Sequence, residues 1–452
     1  MPSGQYSWLT LAQGIAQLAQ RLNDPNNIFW TEAELQVYIS TALRQFNSLC
    51  WAWRQDFTFN TTGNTTVWTN LGSLAGSPRL RTITDLNCYA EMEYMLMEPS
   101  NNTGTWTGTN QFSISTLSQA LQRRRDEMIV VSNCNQNLMQ NIPLTPNTIR
   151  TYFPNGPTIP DVIDVERIRY IPVAIPPATQ PPAPTTLYRD DTLAQEWYEA
   201  PLYQQSSGTP STFSLSSEPP LSFQVDIPPN ISGTYEAVVL QSGAPFNPPA
   251  ATLIGIPNDA AYILEWGALA DLLSQEPEST DTERAAYALK RYQDGLVLMQ
   301  KTPWIELGKV NGGAVSCDSI ADTDRYSPEW DSNPTGFGPV IVTGGPDWIA
   351  TPTNAGIGVT VLGNAPVPVN PTDYIQCSRS DFDIILDLAQ CRAMFKCSGA
   401  EFKESLELER RAIQACAAEN TRLRSMGNFS DILDQRGTAQ ERSMNRYNSK
   451  QK

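Results

Sequence analysis

The sequence has no histidine. Without imidazole, the Ser-His-Asp and Cys-His nucleophile arrangements, the usual general base of neutral pH and histidine-containing zinc sites are excluded. The eight cysteines form no CxxC pair, which argues against a zinc ribbon or a small disulfide-stapled domain. We therefore expect no cofactor and no metal, and thiols that are mostly reduced and partly buried.

Long apolar runs are also lacking. The most apolar helical stretch, AAYILEWGALADLL, is short and contains Glu265, so it is not expected to cross a membrane. The first residues, MPSGQYSW, show no cationic stretch followed by an apolar block, so no signal peptide is expected. Together these features predict a protein with no membrane partner that is assembled in a reducing cytoplasm.

Positive charge is scarce, because 31 lysines and arginines stand against 47 acidic residues and leave a net charge of −16. Such an acidic surface repels phosphates and disfavours broad nucleic-acid binding. The end of the chain is the exception, since residues 435–452 contain one acidic and five basic residues. The basic residues are Arg436, Arg442, Arg446, Lys450 and Lys452. This basic tail predicts docking on an acidic surface, with a frayed, solvated terminus as the alternative.

The densest basic run inside the predicted fold is Arg123, Arg124 and Arg125. A helix places consecutive side chains about 100° apart, so three of them span about 200° and cannot all face one row of phosphates. A solvated face or a groove for an acidic partner is therefore favoured over DNA contact.

Helical and strand patterns alternate along the 452 residues. Apolar residues at three- and four-residue spacing predict helices, which include residues 85–97, 115–131, 258–274 and 280–298. A break at Gly399 is predicted, followed by a longer helix that runs to Met426. The expected fold class is α+β: an α-helical bundle core assembled from three separated helical blocks, two β-rich (sandwich- or hairpin-like) insertions and a flexible C-terminal tail.

The predicted segments follow the composition along the chain. Residues 1–142 form an N-terminal helical hairpin with a β-hairpin and further helices, and 143–257 form a β-rich insertion. Residues 258–302 form a helical hairpin, 303–379 a second β-rich insertion, 380–427 the C-terminal helices, and 428–452 the basic flexible tail.

Two β-hairpins are predicted from alternating apolar residues on either side of a turn. The first joins Phe57 and Phe59 to Val67 and Trp68 across NTTGNTT, and the second joins residues 221–227 to 234–240 across PPNISG. Capping patterns predict helix starts at three positions, Thr31 with Glu34, Thr280 with Glu283, and Ser380.

Trp51 and Trp53 stand where a helix gives way to a strand. Side chains two apart on an extended backbone point to opposite sides, so one can complete the helical core while the other packs beneath the first hairpin. The alternative is that they anchor an interface, where tryptophan is enriched.

Several stretches together resemble one group of proteins. They are FWTEAELQVYISTALRQFN followed by W-x-W-R-x-x-F-T-F, then GTPSTFSLSSEPPLSFQVDIPPNISGTYEAVVL, the pair EWGALADLLSQ and DTERAAYALKRYQDG, and finally DIILDLAQCRAMFKCSGAEFKESLELERRAI. Their order is similar to that of head–tail adaptor (connector, or neck) proteins of tailed bacteriophages. The matches touch most of the chain, but they are patterns and include no catalytic signature.

The resemblance implies a homo-oligomeric ring, commonly a dodecamer, at the head–tail junction of a virion assembled in the host cytoplasm. The ring would sit beneath the portal protein, meet stopper or tail-tube proteins, and let DNA pass through its lumen without specific binding. The implied portal-docking residues are Phe402, Leu406, Arg410, Arg411, Arg436, Arg442, Arg446, Lys450 and Lys452.

One departure from the family matters, because small adaptors are far shorter than this chain. The β-rich insertions would then serve a further purpose, such as contact with the tail, fibres or collar. Two other functions stay open: another tail, collar or baseplate component that binds a host or fibre through its β-rich part, and a carboxylate-dependent glycan hydrolase. The absence of histidine and of a paired-acid motif weighs against the enzyme.

Overall fold

The computed structural model describes residues 6–50, 52–60, 67–69, 82–98, 112–132, 134–154, 160–173, 185–190, 207–216, 221–248, 250–275, 281–301, 305–307, 340–342, 356–362, 364–397 and 399–426. It combines helices with a seven-stranded sheet and smaller sheets, which confirms the α+β class. The predicted tail, residues 428–452, and most of residues 303–363 lie outside the described residues.

Eight α-helices occur within these ranges: α1 (Leu11–Arg21), α2 (Glu32–Cys50), α3 (Asp85–Leu96), α4 (Ile114–Ser132), α5 (Ala261–Gln275), α6 (Thr282–Lys301), α7 (Arg379–Met394) and α8 (Gly399–Met426). Short 3-10 turns cover Asn258–Ala260 and Phe395–Cys397. The predicted helices over residues 85–97 and 115–131 are confirmed to within one residue at either end. The last helix ends at Met426 as predicted, but Gly399, the predicted break, is its first residue.

Side chains that cap the helix starts explain where these helices begin. The Thr31 hydroxyl accepts from the Glu34 amide at 3.3 Å, as predicted. The cap predicted at Ser380 is wrong, because Ser378 accepts from the Asp381 amide. Asp281 accepts from the Arg284 amide, and Thr280, where the other cap is predicted, lies outside the described residues. The correction at Ser380 moves the cap by two residues, because two nearby serines are equally good acceptors.

One apolar cluster unites helices from distant parts of the chain. Its buried members include Leu18, Phe46, Met92, Leu121, Leu269, Tyr292, Ile385 and Phe402, one from each of the eight helices. Each helix therefore buries its apolar stripe against helices that are far away in sequence, which is the main source of stability for such a body.

The described strands are β1 (Arg54–Asn60), β2 (Val67–Thr69), β3 (Gln136–Pro143), β4 (Arg150–Tyr152), β5 (Val162–Pro172), β6 (Thr185–Arg189), β7 (Thr212–Ser216), β8 (Ser222–Val225), β9 (Gly233–Gln241), β10 (Ile305–Leu307), β11 (Val340–Val342) and β12 (Gly356–Leu362). The seven-stranded sheet has the order β3-β9-β5-β6-β7-β8-β4. Its pairs are antiparallel except β6–β7, which is parallel.

A second apolar cluster lies on one face of this sheet. The β5–β9 register places Tyr170 opposite Tyr235 and Ile168 opposite Ala237, and all four side chains are buried in that cluster. The ring of Phe223 meets that of Tyr235 edge-on at 5.0 Å. The sheet thus has a core of its own, separate from that of the helices.

Both predicted β-hairpins are wrong. β1 pairs with β12, with Phe57 opposite Val359, and β2 pairs with β11. The second hairpin was predicted to join β8 to β9. Instead, β8 pairs with β4 and β7, and β9 pairs with β3 and β5. The strands themselves were predicted correctly, but alternation identifies a strand and its buried face without identifying its partner.

The sheet joins the helical body through the segment after β9. Arg125 on α4 is completely buried, donates from Nη1 to the Ala244 carbonyl at 2.6 Å, and lies 4.3 Å from the centroid of the Phe246 ring. A Cβ on Gly243 would lie 2.2 Å from the Arg125 Cζ, so only glycine leaves room for the guanidinium.

A close crossing of α5 and α6 leads to the first prediction, for Gly295→Ala. A Cβ there would lie 2.5 Å from Cγ2 of Ile263. Alanine gains about 1 kcal/mol of helix propensity, but overpacking a core costs about 1–3 kcal/mol. We expect a net loss of up to about 2 kcal/mol in the free energy of unfolding, measured by urea denaturation.

The double variant Gly295→Ala/Ile263→Ala removes the clash, so its loss should be smaller than the sum of the two single losses. Strict additivity of the two substitutions would contradict the proposed steric conflict.

Candidate functional site

The docking candidates on α8 occupy different environments. Phe402 is 3% exposed, and Leu406 is partly buried against the same helical core. The side chains of Arg410 and Arg411 are each 71% exposed, and both lie near the Glu407 carboxylate, at 3.9 and 3.5 Å. Exposed pairs of this kind contribute little stability, so the two arginines remain able to meet another acidic group.

Phe402 belongs to an aromatic cluster inside the protein. Its ring meets those of Tyr287 and Phe395 edge-on, at centroid distances of 5.1 and 5.4 Å. Phe395 in turn meets Trp266 of α5 at 5.0 Å. Packing within the protein therefore accounts for the aromatic residue at position 402. Arg410 and Arg411 are the docking candidates on this helix that are accessible to a partner.

Among the remaining candidates, Trp53 lies in the helical core, and the others lie outside the described residues. Trp53 packs against the helical core, where its ring meets Phe46 at 5.8 Å and its Nε1 donates to the Gln376 carbonyl at 3.0 Å. Its backbone amide donates to Oδ1 of Asn47. Trp51 and the tail candidates Arg436, Arg442, Arg446, Lys450 and Lys452 lie outside the described residues.

α8 is held to the body along much of its length. Asn420 donates to the Leu49 carbonyl at 2.9 Å, and the thiol of Cys50 lies 3.4 Å from the Cys416 carbonyl oxygen. Nearer its start, the Glu409 carboxylate accepts from the Tyr287 hydroxyl and pairs with Arg291 at 3.0 Å. The exposed arginines therefore sit on a helix whose opposite face is fixed.

The three consecutive arginines point in three directions, as the helical geometry predicted. Arg123 is exposed, but Arg124 pairs with Asp271 at 2.5 Å and Arg125 is buried. The expectation of a shared solvated face or acidic groove is thus wrong for the last two. Carboxylates and carbonyls from distant segments draw them inward, which no local pattern indicates.

A buried charge cluster at the centre of the helical body was missed by sequence reasoning. Arg392 of α7 donates from Nε to the Glu91 carboxylate of α3 and from Nη2 to the Glu265 carboxylate of α5. All three side chains are at most 4% exposed. The guanidinium also lies 5.0 Å from the centroid of the Trp266 ring.

The cluster is bounded by further polar contacts. Thr41 donates to Glu91 at 2.8 Å, and Tyr38 donates to Glu34, which pairs with Lys396 at 3.1 Å. Burial raises the pKa of Glu265 well above its ordinary value, the nearby Glu91 carboxylate raises it further, and Arg392 opposes both effects.

Paired carboxylates are the groups that acid–base hydrolysis needs, but here both are bound to one arginine and shielded from solvent. In this arrangement they are suited to joining α3, α5 and α7. The sequence signal was Glu265, one of two acidic residues, with Asp271, in a largely apolar helix.

A second buried carboxylate, Asp259, lies where α2, the 258–260 turn and the segment before α7 meet. It accepts from Asn47 Nδ2 at 2.6 Å and from the Ala365 amide at 3.1 Å. Its own carbonyl accepts from the Ser48 hydroxyl. Burial raises the pKa of Asp259 from 3.8 to about 6, although these hydrogen bonds oppose the shift.

This pKa predicts a pH dependence of stability. Because the folded state holds the Asp259 proton more tightly than the unfolded state, its contribution is greatest below pH 3.8 and is lost as the pH rises towards 6. Asp259→Asn removes this titration. Between pH 4.5 and 7, the wild-type free energy of unfolding should therefore fall relative to that of the variant by about 2 kcal/mol.

Urea denaturation of both proteins across this pH range measures the difference, with Asp383→Asn as an exposed control. Parallel pH profiles for wild type and Asp259→Asn would refute the raised pKa.

Comparison with known proteins yields no match, either to a protein-family model or to a curated protein. None of the helices in the described ranges has the length and apolar content needed to cross a membrane. Nor do those ranges contain a group of three or more Cys, Asp or Glu residues placed to hold a metal ion.

Proposed function

We propose that this protein is a head–tail adaptor of a tailed bacteriophage, a structural component that forms a ring beneath the portal. The three helical blocks would form the ring subunit, and the two β-rich segments would be insertions in it. The proposal rests first on the order of sequence patterns that resemble this family.

The observation that carries the proposal is the construction of α8. Its buried face is held to α2 and α6 by contacts that include Asn420 with Leu49 and Glu409 with Tyr287. Its outer face carries Arg410 and Arg411, and the basic tail follows in the sequence. A fixed helix that presents cations and continues into more cations is suited to docking on an acidic portal surface.

The overall charge also supports a role around DNA. A ring of subunits that each carry a net charge of −16 would be strongly negative, so DNA could slide through it without binding. Any docking between cationic residues and the portal should then weaken as salt is raised.

Electron microscopy of the purified full-length protein, alone and mixed with the portal protein, tests this function. We expect closed rings that stack coaxially on the portal. The double substitution Arg410→Glu/Arg411→Glu should reduce portal affinity at least ~10-fold, which corresponds to 1.4 kcal/mol, while rings still form.

Arg123→Glu is the matched control, because Arg123 is an exposed arginine on a different helix and should not affect portal binding. Absence of rings, or equal binding by the double variant and this control, would count against the proposed role.

A second candidate is a tail, collar or baseplate component that binds a host or fibre through its sheet. It is favoured by Tyr152 and Tyr188, which are 53% and 54% exposed on a sheet with its own core. Tyrosine is common in binding surfaces. Cell or fibre binding that is lost in Tyr152→Ala/Tyr188→Ala, without portal binding by the wild type, would favour this second function.

A further inference from the structure

Cys50 and Cys416 are neighbours although they lie at opposite ends of the chain. Cys50 is the last residue of α2 and Cys416 lies in the second half of α8. The Cys50 Sγ is 3.4 Å from the Cys416 carbonyl oxygen across a sequence separation of 366 residues. Both side chains are at most 1% exposed, and both are free thiols.

Two other described cysteines have different surroundings. Cys391 donates to the Ser405 carbonyl at 3.1 Å, and Cys397 is the one described cysteine that is not fully buried. In contrast, the Cys50 Sγ reaches the backbone of a second buried cysteine, at the Cys416 carbonyl oxygen. The neighbouring Cys416 side chain and burial both raise the pKa of Cys50. A disulfide needs two cysteines on adjacent backbones, and the packing of the end of α2 against α8 places Cys50 and Cys416 on such a pair of segments.

We propose that Cys50 and Cys416 are a redox site that forms an intramolecular disulfide and locks α8 onto α2. The co-reactant is a small disulfide of the oxidised-glutathione class. One thiolate attacks a sulfur of this disulfide and releases one glutathione thiolate, and the second cysteine then displaces the other glutathione. Two protein thiols are oxidised, one small disulfide is reduced to two thiols, and no other oxidant is needed.

The surroundings predict that this reaction is slow. The thiolate is the reacting form, and burial disfavours it. A small disulfide can reach the site only when the end of α8 separates from α2, and Asn420 holds that end to the Leu49 carbonyl. The disulfide would therefore form over hours in an oxidising medium and stay open in a reducing cytoplasm.

The disulfide would also affect docking to the portal. This consequence rests on the proposed function, whereas formation of the disulfide does not. α8 carries Arg410 and Arg411, so a covalent bond to α2 would fix the docking helix after the particle leaves the reducing cell. Oxidation would then stabilise the junction only once assembly is complete.

The test uses the full-length protein, purified in reductant, desalted, and incubated with oxidised glutathione for one hour and for one day. We expect two of the eight thiols to be lost, and peptide mapping after alkylation to show a reducible 50–416 cross-link. The melting temperature should rise by at least ~3 °C because the bond closes a very long loop. Cys50→Ala and Cys416→Ala should abolish both effects, and Cys397→Ala should abolish neither.

If a cysteine variant folds poorly, peptide mapping of the wild-type protein alone shows whether the 50–416 disulfide forms. All thiols remaining free, glutathione bound only at Cys397, or cross-links only between chains would each overturn the proposal. A 50–416 cross-link without a rise in melting temperature would refute the claim that the disulfide holds α8 onto α2. These measurements use the isolated protein. Failure of the protein to form rings or to bind a portal would therefore not change the conclusion about the disulfide.

Discussion

Replacing Arg392 with leucine should lower the free energy of unfolding by about 3–5 kcal/mol, the largest effect that we expect from a single substitution. Arg392 is the only partner cation that directly hydrogen-bonds both Glu91 and Glu265 within the described part of the chain. Its loss would leave two buried carboxylates facing each other without a compensating charge. Urea denaturation at pH 7 followed by tryptophan fluorescence measures the loss.

Two companion variants separate the ion cluster from simple packing. Arg21→Leu breaks a pair with Asp383 and Asp387 nearer the surface, and should cost no more than about 1 kcal/mol. The triple variant Arg392→Leu/Glu91→Leu/Glu265→Leu removes every charge of the cluster and should recover much of the lost stability. A triple variant that is less stable than Arg392→Leu would show that the cluster does not act as a charge-balanced unit.

Replacing Phe402 with alanine should lower the free energy of unfolding by about 3–5 kcal/mol, because it leaves a cavity among Tyr287, Phe395 and the start of α8. This expectation differs from that for an exposed docking residue. A docking phenylalanine would lose portal affinity on truncation without a change in stability. Thermal and urea unfolding, measured beside portal binding, distinguishes the two roles.

Leu406→Ala is the matched control, since Leu406 lies one helical turn further along α8 and is only partly buried. Its loss of stability should be clearly smaller than that of Phe402→Ala. If Phe402→Ala keeps wild-type stability but loses portal binding, then Phe402 serves docking and not the packing of the aromatic cluster.

Helices were the most predictable part of the structure. The boundaries of α3 and α4 follow from apolar spacing, and Pro99 and Gly427 mark the ends of α3 and α8. These signals act within a few positions of the residue that they affect. Caps were less predictable. Ser378 and Ser380 are chemically equivalent acceptors, and only the path of the chain before α7 selects Ser378.

The candidate site was predictable only in its exposed part. Arg410 and Arg411 lie on the polar side of α8, as the apolar stripe of that helix implies. Phe402 and Trp53 are aromatic residues that suit either a core or an interface, and sequence alone leaves both possibilities open. Their environments decide between them: Phe402 meets Phe395, and Trp53 donates to Gln376, each from a distant element.

By itself, the sequence determined the lack of imidazole chemistry, the acidic charge, the mixture of helices and strands, and most helix boundaries. These depend on residue type and on spacing over a few positions. Only the tertiary structure decided that β1 pairs with β12, that Arg125 turns inward, and that Arg392 meets Glu91 across a separation of 301 residues. Burial and pairing of this kind depend on which surfaces meet in space, and the periodicity of one segment carries no information about its partner.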